Sequence, residues 1–284
     1  MLRSLPIALA ALALPACLAA SQASRPALAP PAEGHAQIIR RVLPESVRIQ
    51  LFVWEAQASG VRSRKLVRTA SGVCLFDDAR AHRSFILTNA HVVDRGGLPA
   101  DPTFEVVVEG PRGSSTHHAA RLLASGAVPD TDLALLEVPG TDVPAARLAS
   151  DEDPEVGQDV VVIGAPFGRT LSVSGGLVSN LEWSGDGAAR RQVMLKTDAS
   201  IGYGTSGGGV FRVRDGALLG VIEGYRTARV ELPVAKETFG FDVPMPGETF
   251  AAPAAKIRRF LTDHRLQAIL GDGHLLDGLA DRNP

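Results

Sequence analysis

Two cysteines in 284 residues leave no material for a disulfide framework. If a leader is removed, or Cys17 is taken up by lipidation, Cys74 stands alone. An exported protein in that position must rely on its core. Cys74 lies in the apolar run SGVCLF and reads as a buried, inert thiol. Charge of one sign is also missing. With 29 Lys and Arg against 31 Asp and Glu, the formal charge is −2, which implies neither a nucleic acid nor an anionic membrane as partner. The basic run Arg62-Ser63-Arg64-Lys65 is short and reads as a solvated loop. Metal-ligating clusters are absent too. His117-His118 has no Cys or acidic residue at a useful spacing, so no metal or other cofactor is expected.

The N-terminal apolar run, Leu5 to Leu14, covers about ten residues, too few to span a bilayer as a helix. With Arg3 before it and small residues after it, it reads as a leader over residues 1–23. Two readings of its end stay open. LPAC, Leu14 to Cys17, resembles a bacterial lipobox, with Cys17 lipidated and anchoring the chain to a membrane, although Pro15 is unusual there. Ordinary cleavage among Ala19, Ala20 and Ala23 is the other. Either puts the protein outside the cytoplasm: periplasmic, lipid-anchored or secreted. SRPALAPPAE then makes a semi-rigid tether, over 24–36.

What the chain has in quantity is glycine and proline, 29 and 19, with few long helical patterns. That favours an all-β protein, large enough for a two-lobed core. Gln37 to Leu43 is expected to form a short helix before the strand VRIQLFVW, and Glu55 to Thr69 a long polar hairpin loop. Leu66 to Phe76, Ser84 to Thr88, FEVVVEG and AARLLAS read as further strands of a first lobe, 37–145. Pro139 to Pro154 is turn-rich and reads as the crossover. The second lobe, 146–250, carries QDVVVIG, LSVSGGLVSN, QVMLKTD, GGGVFRV, ALLGVIEGY and FGFDVP, with the spacing of a closed antiparallel barrel. Ala251 to Leu270 has apolar residues at helical spacing, so 251–284 is read as a helix and tail.

One stretch concentrates the chemistry. SIGYGTSGGGVF, Ser200 to Phe211, crowds glycines around Ser206. Such a backbone turns tightly and brings N–H groups close to something. The N–H groups of Gly204 and Ser206 would converge on the oxyanion formed when Ser206 attacks a carbonyl. Alone, the string is equally a glycine-rich turn, and a nucleophilic serine needs a base and an orienting acid. FILTNAHVVD supplies His91 and DTDLALLEV supplies Asp132, with Asp130 competing for the role. The order His, Asp, Ser is that of chymotrypsin-type enzymes. Singly, His91 reads as well as a structural histidine, and Asp132 as a strand cap.

TNAHVV, TDLALL and TDASIGYGTSGGGVF resemble the three active-site blocks of the HtrA (Deg) serine proteases, within the trypsin-like superfamily. VLPESVRIQL, VVVIGAPFG, SGGLVSNL and FGFDVP resemble strands of the same family, so the likeness covers roughly Gln37 to Leu261. The resemblance implies two six-stranded antiparallel β-barrels with a C-terminal helix. It implies a serine endopeptidase with Ser206 as nucleophile, His91 as general base and Asp132 as its orienting acid. Its substrates would be polypeptides, unfolded or misfolded exported proteins among them, and homo-oligomers would be in keeping with the family. About fourteen residues follow the expected helix, too few for the PDZ domain that HtrA-type proteins commonly carry, so a domain without one is expected. A second function class, a weakly active or inactive trypsin-like fold serving as chaperone or binding module, is disfavoured by the intact triad. An esterase shares the chemistry but usually not this triad order.

By the same resemblance the specificity pocket is walled by Ser200 and Ile201, by Glu223, Gly224 and Tyr225, and by Gly240. No acid stands at Ser200 or Ile201, so a preference for Arg or Lys has no evident basis, and Ile201 points to aliphatic side chains. Glu223 is unexpected beside substrate, and an outward-facing side chain is the other reading. Many secreted trypsin-like proteases carry Asp before the nucleophile to receive a new N-terminus; here the residue is Thr205. An ammonium buried beside it would be unpaired. The oxyanion loop is therefore expected to be ordered by loop–loop contacts, from Glu55 to Thr69 or from a neighbouring subunit.

Overall fold

The structure, a computed structural model, describes residues 34–56, 60–98, 101–151, 154–234 and 237–270. The expected leader, Cys17 and most of the tether lie outside the described residues. The tether's last residues do not: helix α1 (His35–Val42) begins there, two residues before the expected start. Its Ile38 and Val42 lie one turn apart and are both buried. The Gly34 N–H donates to Gln37 Oε1 at 2.9 Å, which closes the first turn.

Six strands make the first barrel: β1 (Ser46–Ala56), β2 (Arg62–Asp78), β3 (Arg83–Thr88), β4 (Thr103–Glu109), β5 (Ser115–Ser125) and β6 (Ala134–Pro139). They close in the order β1-β2-β3-β6-β5-β4. Period-2 alternation drives this. β1 turns Val47, Ile49, Leu51 and Val53 into the barrel and its polar residues out. The polar loop expected over Glu55 to Thr69 is instead mostly strand. Trp54 pairs with Arg64 and Glu55 with Ser63, so the hairpin continues nearly to its tip. The basic run is accommodated on that strand. Arg64 stacks its guanidinium 3.5 Å from the Phe52 ring centre, and Lys65 meets Glu55 at 3.1 Å. A one-turn helix, α2 (Ala90–Val93), follows β3.

The second barrel repeats the scheme with β7 (Asp159–Gly164), β8 (Ser172–Ser184), β9 (Arg191–Thr197), β10 (Gly209–Arg212), β11 (Leu218–Val234) and β12 (Glu237–Pro253). It closes as β10-β11-β12-β9-β8-β7. One strand differs from expectation. FGFDVP does not close this barrel. Thr249, Phe250 and Ala251 do, by pairing with β9. The run FGFDVP pairs with the outer half of β11, from Thr227 onward, as a two-stranded arm. Gly240, expected to wall the specificity pocket, faces Glu231 on that arm. Because β12 runs to Pro253, helix α3 (Ala254–Asp263) starts three residues later than expected.

Three apolar clusters hold this together. One fills each barrel, around Ile49, Cys74, Ile86 and Leu136 in the first and Val162, Leu195, Val210 and Leu219 in the second. The third lies between the barrels and takes in Leu75, Leu87, Ile163, Phe211, Ile257 and Phe260. α1 and α3 both pack onto it. Burial at 0% exposure, with the charge of Asp77 as a smaller addition, pushes the Cys74 thiol up to about 12.

Candidate active site

His91 enters from the first barrel. The chain leaves β3, turns at Asn89 and places His91 on α2. Asp132 stands two residues before β6 with φ of 45°, a left-handed conformation that Asp tolerates better than most residues. Its N–H donates to Ala127 O at 3.0 Å, and its carbonyl accepts Asn89 Nδ2 at 2.9 Å. That clamp aims the carboxylate at α2. Asp132 Oδ2 meets His91 Nδ1 at 2.7 Å and Oδ1 accepts the His91 backbone N–H at 2.8 Å. With Nδ1 committed as donor to a carboxylate, Nε2 of the neutral ring is the acceptor. Asp130 makes no such contact among the described residues.

Ser206 comes from the second barrel, on the loop between β9 and β10. His91 and Ser206 line one cavity of about 350 Å³. Ile201, Tyr203, Gly224 and Tyr225 line it as well. Tyr203 and Tyr225 meet edge to face, with ring centres 5.9 Å apart. Burial, and then the Tyr203 hydroxyl beside it, push the Tyr225 phenol up to about 12. Ile201 also borders a second, apolar cavity of about 270 Å³, shared with Phe167 and Thr205.

The loop geometry bears on where charge could be held. The Tyr203 carbonyl accepts the Phe167 N–H. A trans peptide points its N–H opposite to its carbonyl, so the Gly204 N–H faces away from Phe167. Among the described residues neither the Gly204 nor the Ser206 N–H has a hydrogen-bond partner. Two free donors flanking a serine suit a developing oxyanion. Gly204 has φ of 91°, and a Cβ there would sit 2.7 Å from Ala165 O and 3.0 Å from Phe167 N, so only glycine fits.

What fixes the loop is a residue the motifs did not single out. Ser71, on β2 of the first barrel, is fully buried. Its hydroxyl donates to Gly204 O at 2.8 Å and accepts the Ala165 N–H at 2.8 Å. Its N–H donates to Ser206 O at 2.8 Å, and its carbonyl accepts Thr88 Oγ1 at 2.8 Å. The expected loop–loop brace is thus made just beyond Glu55 to Thr69, by a strand residue. Thr205 is buried at 3% exposure. Its Oγ1 accepts the Gly202 N–H at 3.4 Å.

The sequence profile of the trypsin-like peptidase domain matches residues 70–221. The chain belongs to the trypsin-like peptidase family. Among its curated relatives, serine protease HTR4 of Rattus norvegicus is 26% identical over 245 residues, covering 84% of this chain and 42% of the relative. A probable periplasmic serine endoprotease, DegP-like, of Pseudomonas fulva is 32% identical over 187 residues, covering 65% of this chain and 33% of the relative. The chain therefore spans less than half the length of either. The crystal structure of Deg5 shares the fold at a TM-score of 0.54 and 21% identity, over 79% of this chain and 90% of that one. The two-barrel architecture is thus shared with Deg5.

Two other expected site residues complete the picture. Gly224 and Tyr225 line the cavity, but Glu223 just before them turns inward. Its Oε1 meets Lys256 Nζ of α3 at 2.6 Å, each side chain only 8% exposed. Burial raises the Glu223 carboxyl from its ordinary value, Lys256 opposes that rise, and the charges of Asp132 and His91 act on it too. Asp198 accepts the Leu177 N–H at 2.7 Å and so ties its loop to β8. His117 meets Glu105 at 3.0 Å on an exposed strand.

Proposed function

We propose that this trypsin-like peptidase is a serine endopeptidase acting through His91, Asp132 and Ser206. One observation carries the reading: His91 and Ser206 share a cavity while His91 Nδ1 is held at 2.7 Å by Asp132. In that arrangement His91 Nε2 takes the Ser206 proton as Oγ attacks the scissile carbonyl, and returns it to the leaving amine. Asp132 steadies the imidazolium formed meanwhile. The N–H groups of Gly204 and Ser206 hold the tetrahedral oxyanion. A water then repeats the cycle on the acyl-enzyme and releases the acid.

The substrates we propose are unfolded polypeptides outside the cytoplasm. The leader motivates the location, and the name of the Pseudomonas fulva relative, a periplasmic endoprotease, is in keeping with it. The apolar Ile201 at the cavity, with no acid beside it, favours cleavage after aliphatic residues. The test uses the wild-type chain and the variants Ser206→Ala and His91→Ala. Each is offered denatured casein and a fluorescent fluorophosphonate, and cleavage sites are mapped by mass spectrometry. Wild-type chain should be labelled and should cut casein, and both variants should lose most of the rate. Wild-type rates in either variant, or cutting mainly after Arg and Lys, would overturn the corresponding part of the reading.

A further inference from the structure

We propose that the buried Glu223–Lys256 ion pair is a positioning element of the catalytic site, keeping the net charge beside Asp132 and His91 at zero and fastening the cavity wall to α3. The inference rests on the triad reading above. Its geometry is simple. Glu223 sits on β11 between Ile222 and Gly224. The Ile222 carbonyl accepts the Gly207 N–H at 2.9 Å and its N–H donates to Gly208 O at 2.8 Å, directly after the nucleophile. Gly224 lines the cavity that holds His91 and Ser206. The residue between them is thus fixed on both sides to catalytic parts. Its carboxylate reaches α3 by one contact, Lys256 Nζ at 2.6 Å.

Stability does not account for an ion pair in this place. Apolar side chains of similar volume commonly hold a buried site at least as well, because two charges are costly to desolvate. Losing one partner is different: the other is left as an uncompensated charge in a medium that screens poorly. The neighbours decide what that charge would do. Facing His91 are Asp132 from the loop before β6, and Arg68 of β2, whose guanidinium donates to the His91, Val92 and Asp94 carbonyls. Glu223 of β11 acts on the same pair by charge. Tyr203 and Tyr225 share the cavity with His91. A net positive charge at Lys256 would oppose protonation of His91, and a net negative charge at Glu223 would favour it. Paired, the two cancel.

The experiment measures the rate of fluorophosphonate labelling across about pH 5 to 9 for the wild type, E223Q, K256Q and E223Q/K256Q, with thermal melts of each. E223Q keeps the ammonium, so the acid limb should move to lower pH by roughly half a unit or more. K256Q keeps the carboxylate, so the limb should move to higher pH. The double variant carries two neutral amides able to hydrogen-bond each other, and its limb should return to the wild-type position. Limbs that stay put in both single variants overturn the inference, even if every rate drops, because a purely structural pair lowers the rate without moving the profile. A double variant whose limb moves as far as a single one overturns it as well. If one single variant does not fold, the other single and the double decide. A wild type that is not labelled at all defeats the triad reading instead, so the two failures are distinguishable.

Discussion

Ser71→Ala removes one oxygen and disturbs two backbone groups, one buried and one half-buried. Its hydroxyl satisfies the Gly204 carbonyl and the Ala165 N–H, each at 2.8 Å, at a position with 0% exposure. Leaving a buried polar group without a partner costs about 1–3 kcal/mol. Relaxation of the loop recovers part of the loss for two such groups, so a net of about 2 kcal/mol is the working figure. The orphaned carbonyl belongs to the Gly204–Thr205 peptide, and turning that peptide toward water would disturb the loop that presents the Gly204 and Ser206 N–H groups. If the penalty falls on the competent loop and not on the turned one, the ratio of competent to turned loop drops about thirtyfold at 1.36 kcal/mol per tenfold. The assay is the labelling rate of Ser71→Ala by a fluorophosphonate beside its melting curve. We expect the rate to fall by more than about twofold and by up to about thirtyfold while a cooperative melt persists. A variant that melts early yet labels within about twofold of wild type would show that Ser71 supports the barrels and not the loop, and the argument would be refuted.

Two further predictions concern single atoms. Gly204→Ala puts a Cβ 2.7 Å from Ala165 O at φ of 91°, so casein cleavage should fall by at least about a hundredfold; near-normal cleavage would refute the placement of that N–H. Glu45 is 9% exposed, and burial, opposed by Arg41 and Arg147, pushes its carboxyl up to about 8. The folded state therefore holds a proton there that the unfolded chain releases near pH 4.5, so stability falls as pH rises from about 4.5 to about 8. Glu45→Gln should melt higher than wild type above pH 8 and show the least gain below about pH 4.5; a gain that ignores pH would contradict the sign.

The residues of the proposed triad were legible as candidates because each sits in a short motif whose neighbours also have a local job. Glycines around Ser206 announce a turn, and an apolar run before His91 announces a strand end. Ser71 had no such frame. In TASGVC it looks like any small strand residue, and its partners Gly204 and Ala165 are far away in the chain. Glu223 was ambiguous for a related reason. β11 is irregular between Ile222 and Gly224, so counting alternate residues does not tell which way a side chain points. The arm was misread because FGFDVP alternates like a barrel strand. Pairing with a neighbour on one side only is a property of the sheet, not of the segment. The polar stretch from Glu55 misled in the opposite direction, since an exposed hairpin needs no apolar face along its outer turns.

The split of the site across two barrels has a consequence for the life of the chain before it is finished. In the proposed triad the first barrel alone carries His91 and Asp132, with no serine for them to activate. The second carries Ser206, the proposed nucleophile, on a loop held by Ser71 of the first. Synthesis delivers the halves in that order, and neither is armed by itself. If the enzyme cuts unfolded chains, as proposed, it is at first one of them. Only docking of the halves, sealed by the apolar layer of Leu87, Ile163 and Phe211, turns the molecule from potential prey into predator.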